Sequence, residues 1–112
     1  MVLFLRDKDN KTVFELEIWK KTKESHKSNT YIEVSPVVNI KEYSFLLLNQ
    51  SDDKKIEMIE DFEQLSELRG WLWEVYFMRK KNTPEHYGDV VKILKKDIEK
   101  IGKKYELFLV ED

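Results

Sequence analysis

The feature that most constrains this chain is a change of hydrophobic period near its middle. Before residue 39, apolar side chains tend to fall on alternate positions; after residue 51 they recur every three or four. A period of two belongs to a half-buried strand and a period near 3.6 to a helix lying on a core. A chain that changes from one to the other is expected to build a sheet first and lay helices on it, the α+β arrangement. At 112 residues with 41% hydrophobic side chains, a single domain spanning residues 1–112 with one core is expected.

In the first half, Val2–Arg6 is a short apolar run and residues 7–12 (DKDNKT) form a polar turn cluster. Residues 13–19 then alternate, with Phe14, Leu16 and Ile18 on one face and Val13, Glu15, Glu17 and Trp19 on the other. This predicts a hairpin with one packed face and one partly wet face. Residues 20–29 contain no apolar side chain and read as a connection. Thr30–Val38 places Thr30, Ile32, Val34, Pro36 and Val38 on one face. Pro36 cannot donate a ladder hydrogen bond, which points to an edge position or a strand end. Residues 43–48 (YSFLLL) read as a fourth strand.

Beyond residue 51, Met58, Phe62, Leu65, Leu68, Leu72, Val75 and Tyr76 fall within a helical sector about 140° wide. Ser51, Asp52 or Asp53 can cap the start of this helix. The stripe continues without a phase jump to residue 80, which predicts one long helix containing Gly70. The alternative is a strand over residues 71–78 (WLWEVYFM), favoured by its aromatic and β-branched content. A second helix is punctuated by Thr83 as N-cap, Pro84 in the first turn and Gly102 just past the end. Tyr87, Val90, Val91, Leu94, Ile98 and Ile101 form its apolar stripe. Residues 105–110 close the chain as a strand. The expected fold is an antiparallel sheet of four to five strands with a two-helix hairpin packed on one face, in the order β-β-β-β-α-α-β.

Composition narrows the function classes. Ala is absent and Lys outnumbers Arg 17 to 3, a bias that follows the codons of an AT-rich genome before it says anything about activity. The net charge of −2 is unlike that of a dedicated nucleic-acid binder, whose domain is usually basic. No apolar run approaches the ~20 residues that span a bilayer, and no signal peptide is evident, so a cytoplasmic location is expected.

Sites for chemistry are scarce. His26 and His86 belong to no metal-ligand spacing, and there is no Cys. The cluster of Asp7, Asp9 and Asn10 lacks the glycine and terminal glutamate of a calcium loop, so a hairpin turn accounts for it better. Gly70, Gly88 and Gly102 match no phosphate-binding spacing. Ser25 and His26 are adjacent only in sequence, on a connection that offers no rigid support. Glu15 and Glu17 share a strand face, but such pairs are usually the solvated side of a sheet. No catalytic residue, metal or cofactor is therefore assigned.

Two surface patterns remain. Lys92, Lys95, Lys96, Lys100 and Lys103 line the polar face of the second helix, interrupted by Glu99. They are the candidates for weak nucleic-acid binding, although a solvated helix face explains them well. Aromatic excess is more informative. Trp71, Trp73, Phe77 and Met78 fall outside the main stripe of the long helix, and such residues are enriched at protein interfaces. The expected function is a small non-enzymatic module that binds a protein partner or a second copy of itself. An immunity protein, an antitoxin or a viral protein directed at host machinery fits that description. The alternative is a carboxylate-dependent hydrolase or nuclease whose acids converge only in three dimensions.

Overall fold

The computed structural model describes residues 1–22, 30–68 and 87–112. Strands β1 (Val2–Arg6), β2 (Thr12–Thr22), β3 (Thr30–Val38) and β4 (Phe108–Glu111) form one antiparallel sheet in the order β3-β2-β1-β4. Helices α1 (Ile40–Leu48), α2 (Asp52–Ser66) and α3 (Tyr87–Lys104) complete the described elements. The fold is α+β, with helices packed on an antiparallel sheet. Trp71, Trp73, Phe77 and Met78 lie outside the described residues, as do His26, His86, Thr83, Pro84 and the choice between helix and strand for residues 71–78.

The β1–β2 hairpin follows from its turn chemistry. The Asp7 carboxylate accepts hydrogen bonds from the backbone N–H groups of Asp9 and Lys11, each 2.9 Å. Asn10 adopts a left-handed φ of 62°, a conformation that Asn tolerates better than most residues. The side chain that resembled a calcium ligand thus organises the turn.

One residue later the ladder slips. Leu5 pairs with Phe14 but Arg6 pairs with Thr12, leaving Val13 as an extra residue in β2. This β-bulge turns Val13 into the core beside Phe14, and both are fully buried. Strict alternation had assigned Val13 to the wet face with Glu15 and Glu17. Beyond the bulge the alternation holds, so that Leu3, Leu5, Leu16, Ile18, Ile32 and Val34 point into the core. Among the described strands β3 lies at an edge, one of the two positions that Pro36 suggested.

Residues 43–48 are helical, not a fourth strand. A short continuous apolar run gives no period with which to choose, and the three consecutive leucines suit a helix well. Local bonds close the helix at its end: the Asn49 side chain donates to the Phe45 carbonyl at 3.1 Å, and the Gln50 side chain to that of Leu46 at 3.3 Å. The fourth strand of the sheet is β4 instead.

The long helix expected from residue 51 is also interrupted. α2 ends at Ser66, and Glu67 leaves helical geometry with φ −95° and ψ 7°. The Ser66 hydroxyl donates back to the Phe62 carbonyl at 2.9 Å, while the Glu67 N–H is shared between Glu63 and Gln64. Both bonds tighten the last turn. Up to that point the stripe is as expected, with Met58, Phe62 and Leu65 buried, and Leu68 just beyond it is buried as well.

α2 lies against β3, α3 against β1 and β4, and α1 against β2. The first half of α2 meets the end of α3, where Lys54 Nζ donates to the Lys104 carbonyl at 3.2 Å. Val90, Val91, Leu94 and Ile98 bury the inner face of α3. Gly102 lies inside this helix and not beyond its end. The left-handed residue that turns the chain is Glu106, with φ 57°. The Leu107 N–H then reaches back to the Gly102 carbonyl at 2.9 Å, the long bond of a Schellman ending.

Candidate interaction surface

Two parts of the described surface stand apart from an ordinary solvated exterior: the outer side of α1 and a polar cluster between α2 and α3. α1 contains Ile40, Tyr43, Phe45, Leu46, Leu47 and Leu48, and none of its residues is fully buried. Tyr43, Leu46 and Leu47 pack against the core. Ile40, Phe45 and Leu48 face outward and are 74%, 67% and 74% exposed. At 100° per residue these three span about 140° of the helix, sharing it with Lys41 and Ser44. Three large apolar side chains exposed together on one side of a helix whose other side is packed form an apolar patch of the kind found at interaction sites.

On α2, Ile56 is 63% exposed and Ile59 40%. Ile59 lies on a flank of the buried stripe and Ile56 stands nearly opposite the core. The sequence did not point to α1 because residues 43–48 read as a strand. The detectable signal was their lack of alternation, together with the helix-ending Asn49.

The polar cluster begins with Glu57 and Asp61, one helical turn apart on α2. Lys104 bridges them, with Nζ 3.0 Å from Glu57 and 3.2 Å from Asp61. Tyr105 donates its hydroxyl proton to Asp61 at 2.7 Å. Its ring lies 6.4 Å from that of Phe62, which in turn is 4.9 Å from Tyr43. Burial, the hydrogen bond to Asp61 and the surrounding carboxylates hold the Tyr105 hydroxyl well above its usual range. Burial and the Glu63 charge raise Tyr43 as well. The hydrogen bonds to Glu57 and Asp61 raise Lys104. The shifts of Tyr105 and Lys104 favour their protonated, bonded forms, so the cluster clamps α2 to the end of α3.

The remaining sequence candidates are dispersed. On the outer sheet face, Glu17 accepts a hydrogen bond from the Trp19 indole at 3.2 Å. Among the described residues, no group of three or more His, Cys, Asp or Glu side chains could hold a metal ion. On α3, Lys95 pairs with Glu111 and Lys103 with Glu99. Lys92, Lys96 and Lys100 are exposed on the same helix, which also carries Asp97 and Glu99. No described helix is long and apolar enough to cross a membrane. Comparisons with protein-family models, curated proteins and solved structures find no match to this chain.

Proposed function

We propose that this chain is a small non-enzymatic binding module that acts by occupying a protein partner through the outer side of α1. The observation that carries this is the exposure of Ile40, Phe45 and Leu48 on a helix whose opposite side already rests on the core. Exposed side chains of this kind lose little when replaced in the free protein and much when replaced in a complex, because their transfer from water happens only on binding. Trp71, Trp73, Phe77 and Met78 are further partner-binding candidates on composition alone.

The test compares the wild-type chain with a Phe45→Ser, Leu48→Ser double variant as baits in the source cell, using quantitative cross-linking. The expected result is a protein cross-linked to α1 of the wild type whose recovery falls at least about tenfold with the variant, while thermal melting is unchanged. Trp73→Ala and Phe77→Ala, run in parallel, locate the second candidate patch. Equal recovery of all cross-linked species with wild type and double variant would overturn the assignment to α1.

A further inference from the structure

The two edges of the sheet are treated differently. Ile18 exchanges backbone hydrogen bonds with Met1, so even-numbered residues of β2 aim their backbone groups at β1 and odd-numbered ones at β3. Pro36 pairs with Leu16 and therefore stands at an outward-facing position of β3, where it removes a donor. Proline is a common means of blunting an edge. Among the described strands β4 is the other edge; it has neither Pro nor Lys, and the charge of its Glu111 is taken up by Lys95 of α3. The Asp112 N–H bonds to the Val2 carbonyl at 3.0 Å, so by the same alternation Val110 and Phe108 face β1. Leu109 and Glu111 aim their N–H and C=O groups away from the sheet. On the outer sheet face beside this edge Phe4 pairs with Val110 and Arg6 with Phe108, and Phe108 is 59% exposed.

We propose that β4 is a self-pairing edge, through which two copies of the chain join by antiparallel β4 strands centred on Val110 into one sheet continuous across a two-fold axis. In this register Leu109 lies opposite Glu111 of the second copy, and each residue of the pair donates and accepts one backbone hydrogen bond. Val110 meets its own counterpart on the outer face, extending the apolar row that starts at Phe4. Charge selects the register. Asp112 of the second copy falls beside Phe108, in the row that leads to Arg6, whose guanidinium lies over the Phe4 ring 4.7 Å from its centre. Sliding the axis to Glu111 would instead set the Glu111 side chains of the two copies opposite each other, and like charges directly across a ladder destabilise it. The partner is a second copy because one short strand supplies both halves of a closed, isologous contact.

The chain has no cysteine, so Val110→Cys creates a single thiol. Residues facing each other at a non-hydrogen-bonded position have Cα atoms about 4.5 Å apart, within disulfide range. Mild oxidation is expected to link Val110→Cys into a dimer at least about tenfold faster than Val37→Cys on the opposite edge strand. In sedimentation from low micromolar to near-millimolar concentration, the wild type is expected to approach twice its 13.6 kDa chain mass. Glu111→Pro removes an outward donor without touching the β1 ladder and should raise the dissociation constant at least about tenfold. Glu111→Gln, which keeps that donor while losing the charge that pairs with Lys95, should leave dimerisation within threefold of wild type. A wild type that stays monomeric throughout, equal oxidation rates for the two cysteine variants, or dimerisation of a folded Glu111→Pro chain as tight as wild type would each overturn the proposal. If Glu111→Pro does not fold, the cysteine pair and wild-type sedimentation decide alone.

Discussion

At Gly102 a methyl group would stand 2.9 Å from Leu5 Cδ2 and 3.2 Å from the Leu107 carbonyl oxygen. Leu5 is fully buried and the carbonyl belongs to the turn that carries β4, so neither gives way cheaply. Gly102→Ala is expected to destabilise by about 1–3 kcal/mol in denaturant unfolding despite the better helix propensity of Ala. Glu106, four residues on, carries the left-handed φ; Glu106→Gly should stabilise by about 0.5–1 kcal/mol, read as a higher denaturant midpoint at unchanged slope. The sequence offered Gly102 as the obvious terminator and nothing at Glu106. A glycine can mark a left-handed turn or a close approach, and only the position of Leu5 showed which applied. Val13 raises the same issue, since its side is set by a one-residue bulge to which local alternation is blind.

At the scale of elements, the first hairpin was legible because Asp7 and Asn10 perform a local task in a local segment. Asp7→Ala should cost about 1 kcal/mol through the two lost bonds to the Asp9 and Lys11 amides, measured by chemical unfolding. α1 was not legible. Its Leu-rich run suits helix or strand, and the choice came from where the β2–β3 pair released the chain: the Asn39 N–H bonds to the Val13 carbonyl at 2.8 Å. The two sides of α1 predict different mutational behaviour. Leu47→Ala, on the packed side, should cost about 1–2 kcal/mol, whereas Leu48→Ser, on the exposed side, should stay within about 0.5 kcal/mol in a melting experiment. In α3 the apolar stripe was recoverable from period alone, and Val90, Val91, Leu94 and Ile98 are where it put them.

For the whole molecule, the joint between α2 and α3 ties stability to alkaline pH. Tyr105, Tyr43 and Lys104 all hold their protons more tightly in the folded chain than ordinary side chains do. Their contribution is complete below about pH 10, where the unfolded chain is still protonated, and is lost as pH rises toward the folded-state values. The melting temperature should therefore fall above about pH 10, and Tyr105→Phe should flatten that fall while lowering stability near neutrality by about 1–2 kcal/mol. None of this was visible in the sequence, because Asp61 and Tyr105 are 44 residues apart and carboxylates and tyrosines are common. The sequence by itself determined the α+β class, the inward faces of β2 beyond its bulge and of β3, the stripes of α2 and α3, and, through Pro36, that β3 lies at an edge or ends there. Those properties depend on period and on the missing proline donor, which are local. Tertiary structure alone decided that residues 43–48 are helical, that Val13 turns inward, that Gly102 is needed for contact, and that the closing strand β4 pairs with β1. Each depends on which distant segment comes to lie alongside, and periodicity carries no information about that neighbour.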